Sequence, residues 1–215
     1  MATYATAGFS ISGGEAQPMA PYLRAWEDKR RDGIEVVYGL VQVISGPTTS
    51  VTDIVWEAFD EGLKAQPRFT TTRYLQNTIE AARDSLGGYS VRGWRAGALL
   101  AAVSGRDLYL AWAGPAVCYV VAKDQLIYPG YVTEETARSS GALGDAGEVP
   151  IRIAHEEIQE GDVVVLAWSQ LSNLIEEDNI SALIQSGIDP AVRSLYRMAS
   201  EESEFAMMLL QFDTA

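Results

Sequence analysis

Few residues of this 215-residue chain look fit for chemistry, and the best placed do not ionise near neutral pH. The stretch "VVVLAWSQLSNLIEE" (163–177) opens as an apolar, buried-strand run and breaks into a polar turn before an amphipathic segment. A strand end of this kind is a common mount for a catalytic group, yet the turn offers only Ser169, Gln170, Ser172 and Asn173. The single cysteine, Cys118 in "AVCYVVA", reads as a small apolar strand residue, because a nucleophilic thiol needs an activating partner. The single histidine, His155 in "AHEEIQEGD", reads as a solvated surface residue. One histidine excludes a His-rich metal site, and a Cys–His dyad would require these two residues to meet. Carboxylates worth weighing are Asp28, Asp32, Asp53, Asp145, Asp178 and Glu204. Each is read first as surface charge, helix cap or turn; Asp53 falls in the first turn of a helix, where the dipole favours it.

The whole chain sets bounds on what these residues can do. Apolar residues make up 47% and charged residues 21%, as in an ordinary globular protein, and one domain over 1–215 is the simplest division. The formal net charge of −13 excludes general nucleic-acid binding and disfavours anionic membrane surfaces; such acidity favours solubility. No apolar run approaches the roughly 18–20 residues that span a bilayer. The first residues, "MATYATAGFSISGGE", lack the basic start and apolar core of a signal peptide, and one cysteine forms no intrachain disulfide. The cytoplasm is the expected compartment.

The elements that would carry the strand-end turn follow from pattern. "GIEVVYGLVQVISG" (33–46) is a strand bounded by glycines. "SVTDIVWEAFDEGLKAQP" (50–67) sets Ile54, Val55, Ala58, Phe59 and Leu63 on one helical face, with Ser50 or Thr52 as cap and Pro67 beyond its end. "TRYLQNTIEAARDSLGG" (72–88) does the same with Leu75, Ile79, Ala82 and Leu86, and Gly87 and Gly88 stop it. "WRAGALLAAVSG", "DLYLAWAG", "AVCYVVAK" and "QLIYPG" read as a meander of hairpins, and "VPIRIAHEEI" and "GDVVVLAW" add two strands. Helices over 176–187, stopped by Gly187, and 189–200, with Asp189 as N-cap and Pro190 at the first helical position, precede a last strand over 204–212. Segregated helices and hairpins predict an α+β fold: two antiparallel sheets flanked by helix pairs, with 50–65 and 72–86 packed as an antiparallel hairpin.

This order of elements resembles the PPM family, the metal-dependent serine/threonine protein phosphatases of type 2C, from about residue 15 to residue 213. The family fold is a four-layer αββα sandwich. Against its "VADGMGG" word stands "VVYGLVQ", with Tyr38 for the aspartate and Gly39 kept. Against "GDSR" stands "AWAGPAVCYVV", with Gly114 kept and Pro115 for the aspartate. "GALGD" keeps the family's "ALG" at Ala142, Leu143 and Gly144. Against "PGDxLLLCSDGL" stands "EGDVVVLAWSQL", in which Gly161, Asp162 and Leu171 remain and Trp168, Ser169 and Gln170 replace "SDG". Against "DNITVVVV" stands "EFAMMLLQ", with Glu204 for the aspartate and Phe205 for the asparagine. The "RxxNED" word falls on "EAQPMAPYL", with Gln17, Pro18 and Met19 in its last three places, and Arg24 is the nearest candidate for the phosphate-binding arginine.

The resemblance implies two divalent metals bridging a water that attacks phosphate, held by carboxylates at strand ends. In this chain Tyr38, Pro115 and Ser169 stand where carboxylates should, and only Glu204 retains one. The expectation is therefore a pseudophosphatase, more a binding or regulatory module for a protein partner in signalling than an enzyme, with no cofactor and with vestigial metal-site positions Tyr38, Gly39, Pro115, Ser169 and Glu204. Two alternatives stay open. One is an active phosphoprotein phosphatase with non-standard ligands that binds Mn or Mg weakly. The other is a small-ligand sensor using the vacated cleft, lined by Tyr38, Trp112 and Trp168, which otherwise simply fill the volume.

Overall fold

Alternating apolar residues sort the strands into two sheets. The computed structural model describes residues 3–17, 21–27, 34–64, 70–123, 125–129 and 141–213. The first sheet is built from β1 (Thr3–Ser12), β2 (Glu15–Gln17), β7 (Val117–Ala122), β8 (Gln125–Ile127), β10 (Val163–Ala167) and β11 (Glu204–Asp213), in the order β2-β1-β11-β10-β7-β8. The second contains β3 (Leu23–Glu27), β4 (Val36–Ser45), β5 (Arg95–Ser104), β6 (Asp107–Ala113) and β9 (Arg152–Glu157), in the order β3-β4-β5-β6-β9. All neighbours are antiparallel, and β1 pairs with β11 from Thr3↔Asp213 to Ser12↔Glu204.

The middle of the chain is not one meander. β5–β6 and β7–β8 are hairpins, but β6 and β7 lie in different sheets. The chain crosses between sheets at Gly114–Ala116. Gly114 is left-handed (φ 84), and a Cβ there would lie 2.8 Å from the Gly97 Cα. A short gap after an apolar run looks the same in sequence whether the next strand pairs beside it or crosses over.

Helices α1 (Thr48–Lys64) and α2 (Thr71–Gly87) cover the five-stranded sheet. Helices α3 (Leu171–Leu174), α4 (Glu177–Ile184) and α5 (Ile188–Met198) follow β10, and α5 lies on the outer face of the six-stranded sheet, where Tyr196 meets Phe9 edge-on. The result is the expected α+β sandwich of four layers. Strand β4 shows the division of its core: Val36, Tyr38 and Leu40 face the other sheet, while Val37 and Val41 face α1 and α2. The expected apolar stripes are buried on both long helices, Ile54 only partly.

Helix ends differ from expectation for local reasons. Helix α1 starts at Thr48, so Thr52 lies inside it and its hydroxyl donates back to the carbonyls of Thr48 and Thr49, both at 3.0 Å. Thr70 caps α2, its Oγ accepting from the Arg73 N–H at 3.4 Å, and Gly88 closes the helix in a right-handed conformation. Gly187 (φ 97) both ends the turn after α4 and caps α5. Asp189 therefore sits in the first turn of α5, not at the cap, and Pro190 is its third residue. The first turn still tolerates proline, since its N–H groups have no partner within the helix. Pro67 and the link between α1 and α2 lie outside the described residues.

Ile79 is fully buried between α2 and the five-stranded sheet. Ile79→Ala is expected to cost about 2–5 kcal/mol, read as a fall in the denaturation midpoint at constant m-value.

Candidate functional site

The ends of β4 and β10 meet across the sandwich through side chains that carry no charge. Gln42 is the one amide side chain within the mostly apolar β4, and it is buried. Its amide nitrogen donates to Ser169 Oγ at 3.1 Å and to Gln170 Oε1 at 2.9 Å. Its amide oxygen accepts from the Ser169 backbone N–H at 3.1 Å. Next to this, Trp168 Nε1 donates to the Val41 carbonyl at 3.0 Å, and Ser172 Oγ donates to the Ser169 carbonyl at 3.1 Å. The Trp168 ring packs on Tyr22, centroids 4.6 Å apart. A buried polar side chain is stable only when its donors and acceptors are satisfied, and here both ends of the Gln42 amide are.

Pro115 and Glu204 belong to the same end of the sandwich. Gly97 pairs with Gln42, and a Cβ on Gly97 would come within 2.8 Å of Pro115 Cδ, so the proline ring fills the place beside Gln42 that a side chain would take. Strand β11 starts where β10 stops: the Trp168 N–H donates to the Ala206 carbonyl, and Glu204 lies two residues earlier. Glu204 pairs with Ser12, its Oε1 accepts from the Gly13 N–H at 3.1 Å, and its Oε2 is buried with no hydrogen-bond partner. The Tyr22 hydroxyl donates to Ser12 Oγ at 3.3 Å, which ties this corner to Trp168.

Tyr38 and Gly39 do not join this group, which corrects the expected register of the early word. Tyr38 lies four residues before Gln42 on the same face of β4, between Ala25 and Ala101, buried in the core between the sheets. Gly39 faces the helices, where a Cβ would come within 2.7 Å of the Trp26 ring and 3.0 Å of the Trp56 ring. Its glycine is explained by those two indoles. Gln42 is the residue of this junction that the sequence reading missed, and the available signal was one amide in a mostly apolar strand.

The remaining candidates have local roles. Arg24 lies beside Asp60 at 3.4 Å and over the Trp56 ring at 5.0 Å, on the helix side of β3. His155 bonds Asp107 at 2.7 Å and stacks on Tyr109. Burial pushes the Cys118 thiol up, and the nearby Glu156 charge adds to this, so the thiol stays protonated. Asp53 is exposed on α1 and Asp178 occupies the first turn of α4. Trp112, Trp168 and Tyr38 are all buried core residues. Gln17 is exposed on β2, whereas Pro18, Met19, Asp28 and Asp32 lie outside the described residues. Asp145 accepts from the Ala142 N–H at 2.7 Å and from Arg95 at 3.2 Å. Partial burial pushes its carboxyl up, but the bonds from Arg95 and Ala142 and the Arg95 charge outweigh this and hold it below the usual range. Among the described residues, no three His, Cys, Asp or Glu side chains cluster as a metal would require, and no helix is long and apolar enough to cross a membrane.

No protein-family model matches the sequence, and no curated protein matches it. Solved structures do resemble it in three dimensions. The catalytic domain of the serine/threonine protein phosphatase PstP, in complex with two manganese ions, is 14% identical, with a TM-score of 0.71 over 99% of this chain and 100% of that one. The serine/threonine phosphatase of S. agalactiae is 15% identical, with a TM-score of 0.71 over 99% and 100%. Stp1 from Staphylococcus aureus is 13% identical, with a TM-score of 0.73 over 98% and 94%. The chain has the fold of these phosphatases, as its element order led us to expect.

Gln42→Leu keeps most of the volume and strips three partner atoms, two on buried Ser169 and one on half-buried Gln170, of their bonds. It is expected to destabilise the protein by roughly 2–4 kcal/mol in denaturant titrations. Asp145 has a folded-state pKa below its ordinary value of 3.8. Its contribution is therefore complete above that value and is lost as pH falls through the lower, folded one. The stability gap between wild type and Asp145→Asn should be constant at neutral pH and close in strong acid.

Proposed function

We propose that this chain is a catalytically inactive relative of the type 2C phosphatases that serves as a binding or regulatory module for a protein partner. The observation that carries this reading is the uncharged junction between Gln42, Ser169 and Gln170 at the strand ends. A dinuclear centre brings four positive charges into a partly dry cleft and needs several carboxylates to offset them. Among the described residues, the groups brought together at this end are the amides of Gln42 and Gln170, the hydroxyls of Ser169 and Ser172, the backbone at Pro115 and one carboxylate, Glu204, and the Gln42 amide and Ser169 already satisfy each other. This donor set does not fit two divalent metals. In this reading the vestigial positions are Gln42, Pro115, Ser169 and Glu204. Trp168 and Tyr22 then act as core, filling space that a small-ligand cleft would need.

Hydrolysis of p-nitrophenyl phosphate with Mn²⁺ or Mg²⁺ is expected to stay at background, and calorimetry should detect no tight binding of two metals per chain. Turnover that Glu204→Gln abolishes would establish the alternative, a phosphatase with non-standard ligands. Gln42→Asp and Ser169→Asp together should lower Tm in the absence of metal, because two carboxylates then face each other in a buried junction. Added Mn²⁺ should restore Tm more for this pair than for either single change.

A further inference from the structure

We propose that the chain forms a two-fold dimer in which strand β9 of one copy pairs antiparallel with β9 of a second copy, centred on Ala154. Strand β9 is the outermost strand of the five-stranded sheet beyond β6. The Ile158 N–H donates to the Arg106 carbonyl at 2.8 Å, in line with the β6–β9 register. Hydrogen-bonding direction alternates along a strand, so the backbones of Arg152, Ala154 and Glu156 turn toward β6. Those of Ile153 and His155 turn outward, and no strand lies beside them among the described residues. An open edge of this kind is a template for another strand.

The side chains say which strand fits. Arg152 and Ala154 lie opposite Trp112 and Leu110, which face the other sheet, and the alternation places Glu156 on that face too. The Arg152 Nε is buried without a hydrogen-bond partner, and the described residues supply no ion pair for its guanidinium. A buried cationic donor with no acceptor calls for one, and guanidinium geometry suits a carboxylate. When β9 meets a second β9 about Ala154, each Arg152 stands opposite a Glu156. The outward groups of Ile153 then bond those of His155 in the other copy. Two-fold registers centred on Arg152 or Glu156 would instead set like charges face to face. Registers centred on Ile153 or His155 set Arg152 opposite Ala154 or Ile158, so of these only the register about Ala154 gives it a carboxylate and makes the edge complementary to itself, as a closed two-fold interface requires. Ile153, 38% exposed, gains cover from the ring of His155.

The test is sedimentation velocity of the full chain at high protein concentration, since a charge of −13 on each copy opposes association. A dimer is expected for the wild type. Arg152→Glu and Glu156→Arg should each weaken it about 10-fold or more, because each change sets two like-charged pairs in the interface. The two changes together should restore it. Ile153→Pro removes an outward N–H and leaves the β6 ladder intact, so it should give a monomer with unchanged circular dichroism and Tm. A monomeric wild type, single variants that dimerise like the wild type, failure of the folded double variant to recover, or a dimer that survives Ile153→Pro would each overturn the proposal.

Discussion

Two sheets that pack face to face by apolar contact alone are free to slide, because the hydrophobic effect has no direction. In this protein the freedom is removed at one end, where the Gln42 amide reaches across to the Ser169 backbone and the Trp168 indole reaches back to Val41. These bonds hold β4 and β10 at a fixed offset, and the positions of Pro115 and Glu204 follow from it. They also work without formal charge. An ion pair there would carry the desolvation cost of two charges, whereas an amide and a hydroxyl meet each other's needs at a much smaller one.

Much of the fold was legible in the sequence because its signals are periodic. The buried faces of α1 and α2 read directly from the spacing of Leu75, Ile79, Ala82 and Leu86 and their counterparts in α1. The strands read from apolar runs between glycines. The crossing at Gly114–Pro115 was hidden because sequence spacing fixes how far apart two strands are along the chain and does not fix whether they pair. Helix starts were misplaced by one or two residues at Thr48 and Gly187, where the cap depends on backbone conformation as much as on side-chain type.

The site was half legible, and the missing half has a physical cause. The resemblance in sequence rests partly on retained glycines, but a glycine records a lack of room for a side chain and nothing about what chemistry is nearby. Gly39 is small because Trp26 and Trp56 press on it, and Gly114 because the chain passes over Gly97. Both would be needed on a scaffold that had never held a metal. Ser169, by contrast, lies in the turn just past β10 as its spacing indicated, since β10 is a short apolar run whose end can be counted.

The pairing of β1 with β11 has a consequence for how the molecule is made. Among the described residues, the only neighbours of the first strand are the three-residue β2 and β11, the last strand in sequence order. On a ribosome, the five-stranded sheet and the helices over it can assemble once β9 has emerged, while Phe9 and Ile11 of β1 still have no sheet to complete. The nascent chain therefore carries a strand that must wait until β11 has been made, and contacts of such long sequence separation form slowly. Chaperone dependence during synthesis would then trace to β1, far along the chain from the strand that relieves it.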